Sequence, residues 1–253
     1  MVLLTGFCFQ IKTCNTAIFI GLSTFVAYNG IRYLKYKKGL LREVVFIWFE
    51  KNKGPLSLMN FSAIVYLLVT FRQFDINSLL VMLPFSLLTL LYMNPLGASN
   101  KKSLSLRKIP GFKIFCISIS WSGLVVLFPL VEANIEIGVR EFMFFLQQVL
   151  FVLVLTLPFD LRDIPFDEKE LKTIPQVLGV RKTKILGIGF ILIFCVISCF
   201  LFQDFLLYNM IFIGILQIFL LLTSAIKQSE YFASFWVEAI PLFWVLIVSF
   251  TCF

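Results

Sequence analysis

The chain has 253 residues, a formal net charge of +8 and no histidine; 60% of its residues are hydrophobic and only 14% are charged, against roughly 25% charged in an ordinary soluble domain. That balance argues against a water-soluble fold, and the mean hydropathy of +0.95, with charges gathered between apolar runs, points to lipid as the main solvent. The lack of histidine removes Ser-His-Asp triads, imidazole bases and imidazole metal ligands, and with them most hydrolase chemistry.

Taken in chain order, residues 1–11 are apolar but too short to cross a bilayer, and they lack the basic start of a secretory signal. They read as half a span, or as the end of a truncated first span. Eight apolar segments follow at about 16–35, 55–71, 76–92, 112–131, 140–158, 184–201, 205–226 and 231–253, each of the length a membrane helix or a buried bundle helix requires. Between the first two, residues 44–49 form an apolar patch framed by charges, which reads either as an interfacial helix or as an extension of the next span. The loops are short and no soluble insert is visible. The expected fold is therefore all-α, a polytopic transmembrane helical bundle of about eight to nine spans, with residues 1–253 forming one domain.

Counting the N-terminal segment as a span, the loops after the second, fourth, sixth and eighth hold nineteen of the 22 basic residues. Only Lys12, Arg72 and Arg140 fall on the other side. This asymmetry places the basic loops in the cytoplasm, so the positive charge reflects topology and implies no nucleic-acid partner. The six cysteines show no CxxC pair and read as small hydrophobes in apolar surroundings. Most of the 31 phenylalanines are expected to face lipid or to pack between helices.

Chemistry concentrates in one place. Pro158-Phe159-Asp160-Leu161-Arg162-Asp163-Ile164-Pro165-Phe166-Asp167 sets three carboxylates at i, i+3 and i+7 where a membrane helix ends, a spacing that shares one helical face. Pro165 bends or restarts the helix, so Asp167 is expected to arrive from a turn. Carboxylates gathered so closely call for a divalent cation or a basic partner, and Mg²⁺ suits hard carboxylate oxygens and substrate phosphates. The bland reading is a solvated acidic loop balanced by Arg162, Lys169 and Lys172.

The run Asp160-Leu161-Arg162-Asp163-Ile164-Pro165-Phe166-Asp167, followed by Lys172-Thr173-Ile174-Pro175-Gln176-Val177-Leu178-Gly179, resembles the second aspartate-rich motif of the UbiA superfamily of intramembrane prenyltransferases, DxxDxxxD with its trailing K-T-x-P-x-x-x-G. The resemblance extends over most of the chain, since that family has nine helices with cytoplasmic motif loops after the second and the sixth. It implies Mg²⁺-dependent transfer of a prenyl group from an isoprenoid diphosphate donor to a hydrophobic, lipid-accessible acceptor, an aromatic one among the candidates. It also implies that Asp160, Asp163 and Asp167 hold the metal against the diphosphate, while Lys101, Lys102, Arg107 and Lys113 stabilise the leaving group. Of the family's first motif, NDxxDxxxD, Asn29 survives; Gly30, Tyr33 and Lys37 occupy the aspartate positions. Arg32, Lys35 or Lys37 would then supply fixed positive charge in place of a metal.

Two other classes stay open. One is a membrane lipid-binding or scaffold protein that keeps the bundle without the chemistry. The other is a transporter, for which mid-membrane charge is the expected mark and Glu238 the single candidate.

Overall fold

The computed structural model describes residues 1–39, 41, 43–93, 111–167, 171–229 and 231–251, and among these the regular structure is entirely helical. Long runs of leucine, isoleucine, valine and phenylalanine with charges at their ends give the backbone only itself to bond with in lipid, the condition that selects helix. In chain order the helices are α1 (Val2–Phe9), α2 (Cys14–Lys37), α3 (Glu43–Thr70), α4 (Ile76–Met93), α5 (Phe112–Glu132), α6 (Val139–Asp163), α7 (Ile174–Leu201), α8 (Asp204–Thr223) and α9, a π-helical turn Phe232–Val237 continued by Glu238–Thr251. Seven of these, all but α1 and α4, are long and apolar enough to cross a membrane. The protein is a multi-pass helical bundle.

Two helix starts differ from the sequence expectation. The first is α3, which begins at Glu43 and not near 55, so the patch at 44–49 is an extension of the span. Its charged turn is supported locally: Glu50 accepts from Lys53 on the same helix and from the Tyr36 hydroxyl of α2, the kind of neighbour pairing that sustains an exposed helix face. The second is α7, which begins at Ile174 and not near 184: a short neutral turn, residues 174–178, joins the basic and apolar stretch that follows across Gly179, whose φ 75° and ψ 166° break the helical path. Only glycine adopts that backbone region readily.

Burial identifies the centre. In α5 and α6 the apolar windows are 61% and 56% buried, against 6% in α3. Helix α6 packs on α5 and α7, α7 on α8, and α4 on α5, while α2 pairs with α3 at the periphery. Phe151, Phe194 and Trp244 are fully buried, with the Phe151 and Trp244 rings 4.8 Å apart. Where α4 meets α5, Gly123 opens a π-helical turn, and a Cβ there would stand 2.4 Å from the Phe85 ring.

Polar side chains tie the helices across the apolar interior, where few competing partners exist. The Gln147 amide donates to Ser198 Oγ at 2.5 Å, and the Gln217 amide to the Phe151 carbonyl at 2.8 Å. Lys184 donates to the carbonyls of Leu222 and Ser224 at 2.6 and 2.7 Å. It thereby caps the C-terminal end of α8 with the charge sign the helix dipole favours. Alternating helix directions collect Lys37, Phe112, Asp163 and Ile174 at one end of the bundle, the motif end. The α1–α2 turn, residues 71–75 and the α5–α6 turn lie at the other.

Candidate functional site

The acidic motif lies where α6 leaves the apolar core. The helix continues through Pro158 as far as Asp163, so Asp160 and Asp163 sit on its final turns. Beyond it the chain turns, with the Phe166 and Asp167 amides donating to the Asp163 carbonyl at 2.9 and 2.8 Å. Asp167 is therefore delivered by a turn and not by helical continuation, as Pro165 dictates. Two contacts hold this turn in place: the Gln176 amide donates to the Asp167 carbonyl at 3.3 Å, and Gln228 to the Pro158 carbonyl at 3.0 Å.

The carboxylates separate into two groups. Lys113, one residue into α5, places its ammonium 2.7 Å from Asp160 Oδ1 and 3.4 Å from Asp167 Oδ2. The α5–α6 hairpin makes this meeting possible, because the start of α5 lies beside the end of α6. Asp160 is buried, with 4% of its side chain accessible, whereas Asp167 keeps 14% and Lys113 22%. Asp163 points elsewhere and receives the Arg162 guanidinium at 2.9 and 3.3 Å. Arg162 also donates to Ser234 Oγ on the π-helical turn of α9 at 3.2 Å, which fastens this second pair to a different helix.

The start of α7 completes the surround. The Thr173 amide donates to Gln176 Oε1 at 3.0 Å, a side-chain cap of a kind common at helix starts, and Pro175 occupies the first turn. The Gly111 amide donates to the Leu171 carbonyl at 3.0 Å, joining the entry of α5 to the entry of α7. Lys172-Thr173-Ile174-Pro175 thus works as a clasp, with Gly179 turning the chain back into the membrane.

Of the remaining candidates, Lys101, Lys102 and Arg107 lie outside the described residues. Asn29 on α2 is buried, and its amide nitrogen has no hydrogen-bond partner among the described residues. Arg32 donates to the Tyr28 hydroxyl at 2.7 Å and lies 4.4 Å over that ring. Lys37 stands 5.0 Å over the Tyr33 ring. The surface around residues 28–37 is thus aromatic and basic, with Arg32 and Lys37 stacked on rings. Helix α2 runs in the same sense as α6, so its Lys37 end reaches the motif end of the bundle.

Among the described residues no three aspartate, glutamate or cysteine side chains converge as a metal-holding group, and the Lys113 ammonium lies between Asp160 and Asp167. A closed three-carboxylate cage does not fit this geometry. One or two carboxylates completed by substrate phosphates, the usual way magnesium is held, do fit the accessible oxygens of Asp163 and Asp167. Gln176, Gln228 and Ser234 were not singled out from the sequence. Gln176 lies inside the quoted motif, whereas Gln228 and Ser234 carry no local signal.

Comparison with protein-family models, curated proteins and solved structures gave no match for this chain.

Proposed function

We propose that the protein is a UbiA-like membrane prenyltransferase that takes an isoprenoid diphosphate at the motif end of the bundle and passes its prenyl group to a hydrophobic acceptor arriving through the lipid. The observation that carries this reading is the pattern Asp160, Asp163, Asp167 followed by Lys172-Thr173-Ile174-Pro175 and Gly179 at the end of a membrane helix. The clasp formed by that trailing segment supports it, as does the order of helices: α1 and α4 added to the seven long ones give nine among the described residues. In this reading the basic loops and the motif end are cytoplasmic.

Asp163 and Asp167 would hold Mg²⁺ together with the diphosphate oxygens, with Asp160 buried behind them on Lys113, and the metal would supply charge neutralisation of the leaving group. The chain's own residues do the rest. Lys113 holds Asp160 and Asp167 in one orientation, and Arg162 holds Asp163. The basic side chains of α2, Arg32 and Lys37, together with Lys101, Lys102 and Arg107, provide fixed positive charge for phosphate oxygens. Binding both ends of a reacting pair in one orientation lowers the barrier by proximity.

Purified protein in lipid nanodiscs, given Mg²⁺ and a series of prenyl diphosphates, should release pyrophosphate, and Asp160→Ala or Asp163→Ala should abolish that release. Undiminished release by both variants would remove the assignment. The second reading, a lipid-binding bundle without catalysis, is favoured by one observation: Gly30, Tyr33 and Lys37 occupy the aspartate positions of the first motif. It predicts no pyrophosphate from any donor while lipid copurifies.

A further inference from the structure

Two cavities open at the end of the bundle remote from Asp160. The smaller, about 190 Å³, is polar and is lined by Lys12, Asn15, Thr16, Gln73 and Glu132 together with Phe74 and Ala133. The larger, about 780 Å³, runs along α1 and the start of α2, with Leu3, Phe7, Ile11 and Leu206 among its walls. They share Lys12 and Asn15, so a charged chamber and an apolar groove meet at one lysine.

Their position follows from the chain path. The α1–α2 turn, residues 71–75 and the end of α5 all terminate here, at the level where membrane helices meet lipid headgroups. Lys12 and Glu132 supply opposite charges to the same chamber, yet no ion pair joins them among the described residues. Glu132 is fixed in place, because one of its oxygens, Oε2, accepts from Ser78 Oγ and from the Asp75 amide. That ties it to the start of α4. Lys12, on the exposed turn, faces it across the chamber with Asn15, Thr16 and Gln73 as neutral hydrogen-bonding walls. At about 30 Å³ per water, the chamber holds roughly six waters' worth of volume, enough for a phosphate and an ammonium joined by two carbons.

We infer that this pair of cavities is a binding site for a zwitterionic phospholipid of the phosphatidylethanolamine class, with the headgroup in the chamber and an acyl chain in the groove. Lys12 takes the phosphate and Glu132 the primary ammonium. The carboxylate excludes purely anionic headgroups, whose phosphate would have no cation to place beside Glu132. The groove extends the contact along Leu3, Phe7 and Ile11, where apolar burial adds to affinity. The site does not depend on prenyl transfer at the other end of the molecule.

The test is native mass spectrometry of the full chain released from detergent, titrated with short-chain phosphatidylethanolamine, phosphatidylglycerol and free phosphoethanolamine. The expected result is retention of phosphatidylethanolamine at least about tenfold tighter than phosphatidylglycerol, the effect of one charge-assisted contact. Lys12→Glu should cut that retention by a similar factor, while Glu132→Gln should erase the preference over phosphatidylglycerol. Because Glu132 also caps α4, Gln73→Ala and Lys12→Ala serve as variants on exposed residues, and each should weaken retention with the melting temperature unchanged. Equal retention of the two lipids, or no effect of the Lys12 variants, overturns the site. Free phosphoethanolamine binding as tightly as the lipid overturns the part played by the groove.

Discussion

Removing the Lys113 ammonium would leave the Asp160 carboxylate, with 4% of its side chain exposed, without its nearest cation. A charge stranded in that way costs about 3 to 5 kcal/mol, much more than the intact pair contributes against an apolar replacement. Lys113→Ala is therefore expected to destabilise the protein by about that amount, measured by thermal or denaturant unfolding in detergent. Lys113→Met combined with Asp160→Leu should recover most of the loss, because both charges leave together. A double variant as unstable as the single one would show that Lys113 acts through some other contact. At this scale the sequence displayed the aspartates and their spacing but not their division into two groups. The i, i+3, i+7 rule assumes one helix, and the chain leaves the helix after Asp163. Lys113 could be nominated only by its place near a helix end, since the 47 positions separating it from Asp160 are bridged by tertiary packing that no local pattern encodes.

At the level of single helices, glycine marks the points where a regular element has to give way. Gly179 has φ 75° and nothing within 4 Å of the position a Cβ would take, so Gly179→Ala meets no steric wall and costs only backbone strain, about 1 to 3 kcal/mol. Unfolding of that variant measures the cost, and a neutral result would mean that α7 can straighten through the kink. Gly123 is the opposite case, with ordinary helical geometry nearby and the Phe85 ring 2.4 Å from the Cβ position. Gly123→Ala should destabilise by about 1 to 3 kcal/mol through overpacking, and Phe85→Leu in the same chain should relieve part of it. Hydropathy located the spans because lipid exposure demands uninterrupted apolar runs, and seven of them are present as long helices. The starts of α3 and α7 were misplaced for different reasons, α7 because a short neutral helical turn precedes the Gly179 kink, α3 because its charged first turns are held. A helix continues past the lipid boundary wherever its charged turn finds partners, as Glu50 does with Lys53 and Tyr36, and hydropathy does not register those partners.

For the molecule as a whole, orientation in the membrane is decided by lysine and arginine near the helix ends. The sequence pattern assigns nineteen basic residues to one side of the membrane against Lys12, Arg72 and Arg140 on the other, and each positive charge close to an anionic leaflet is worth about 1 kcal/mol. A difference of that size favours the orientation with the motif end in the cytoplasm, as proposed. In the proposed orientation the exposed Cys14, at the start of α2, faces away from the cytoplasm, and Arg181, beside the Gly179 kink, faces it. In intact cells a membrane-impermeant maleimide should modify Cys14, and a cysteine introduced as Arg72→Cys, while sparing one introduced as Arg181→Cys in a chain whose native cysteines are replaced. Permeabilisation should make the Arg181→Cys site reactive. The reverse pattern would put the Asp160 end outside the cytoplasm, out of reach of an intracellular prenyl diphosphate, and the proposed reaction would lose its donor whatever the geometry around Lys113.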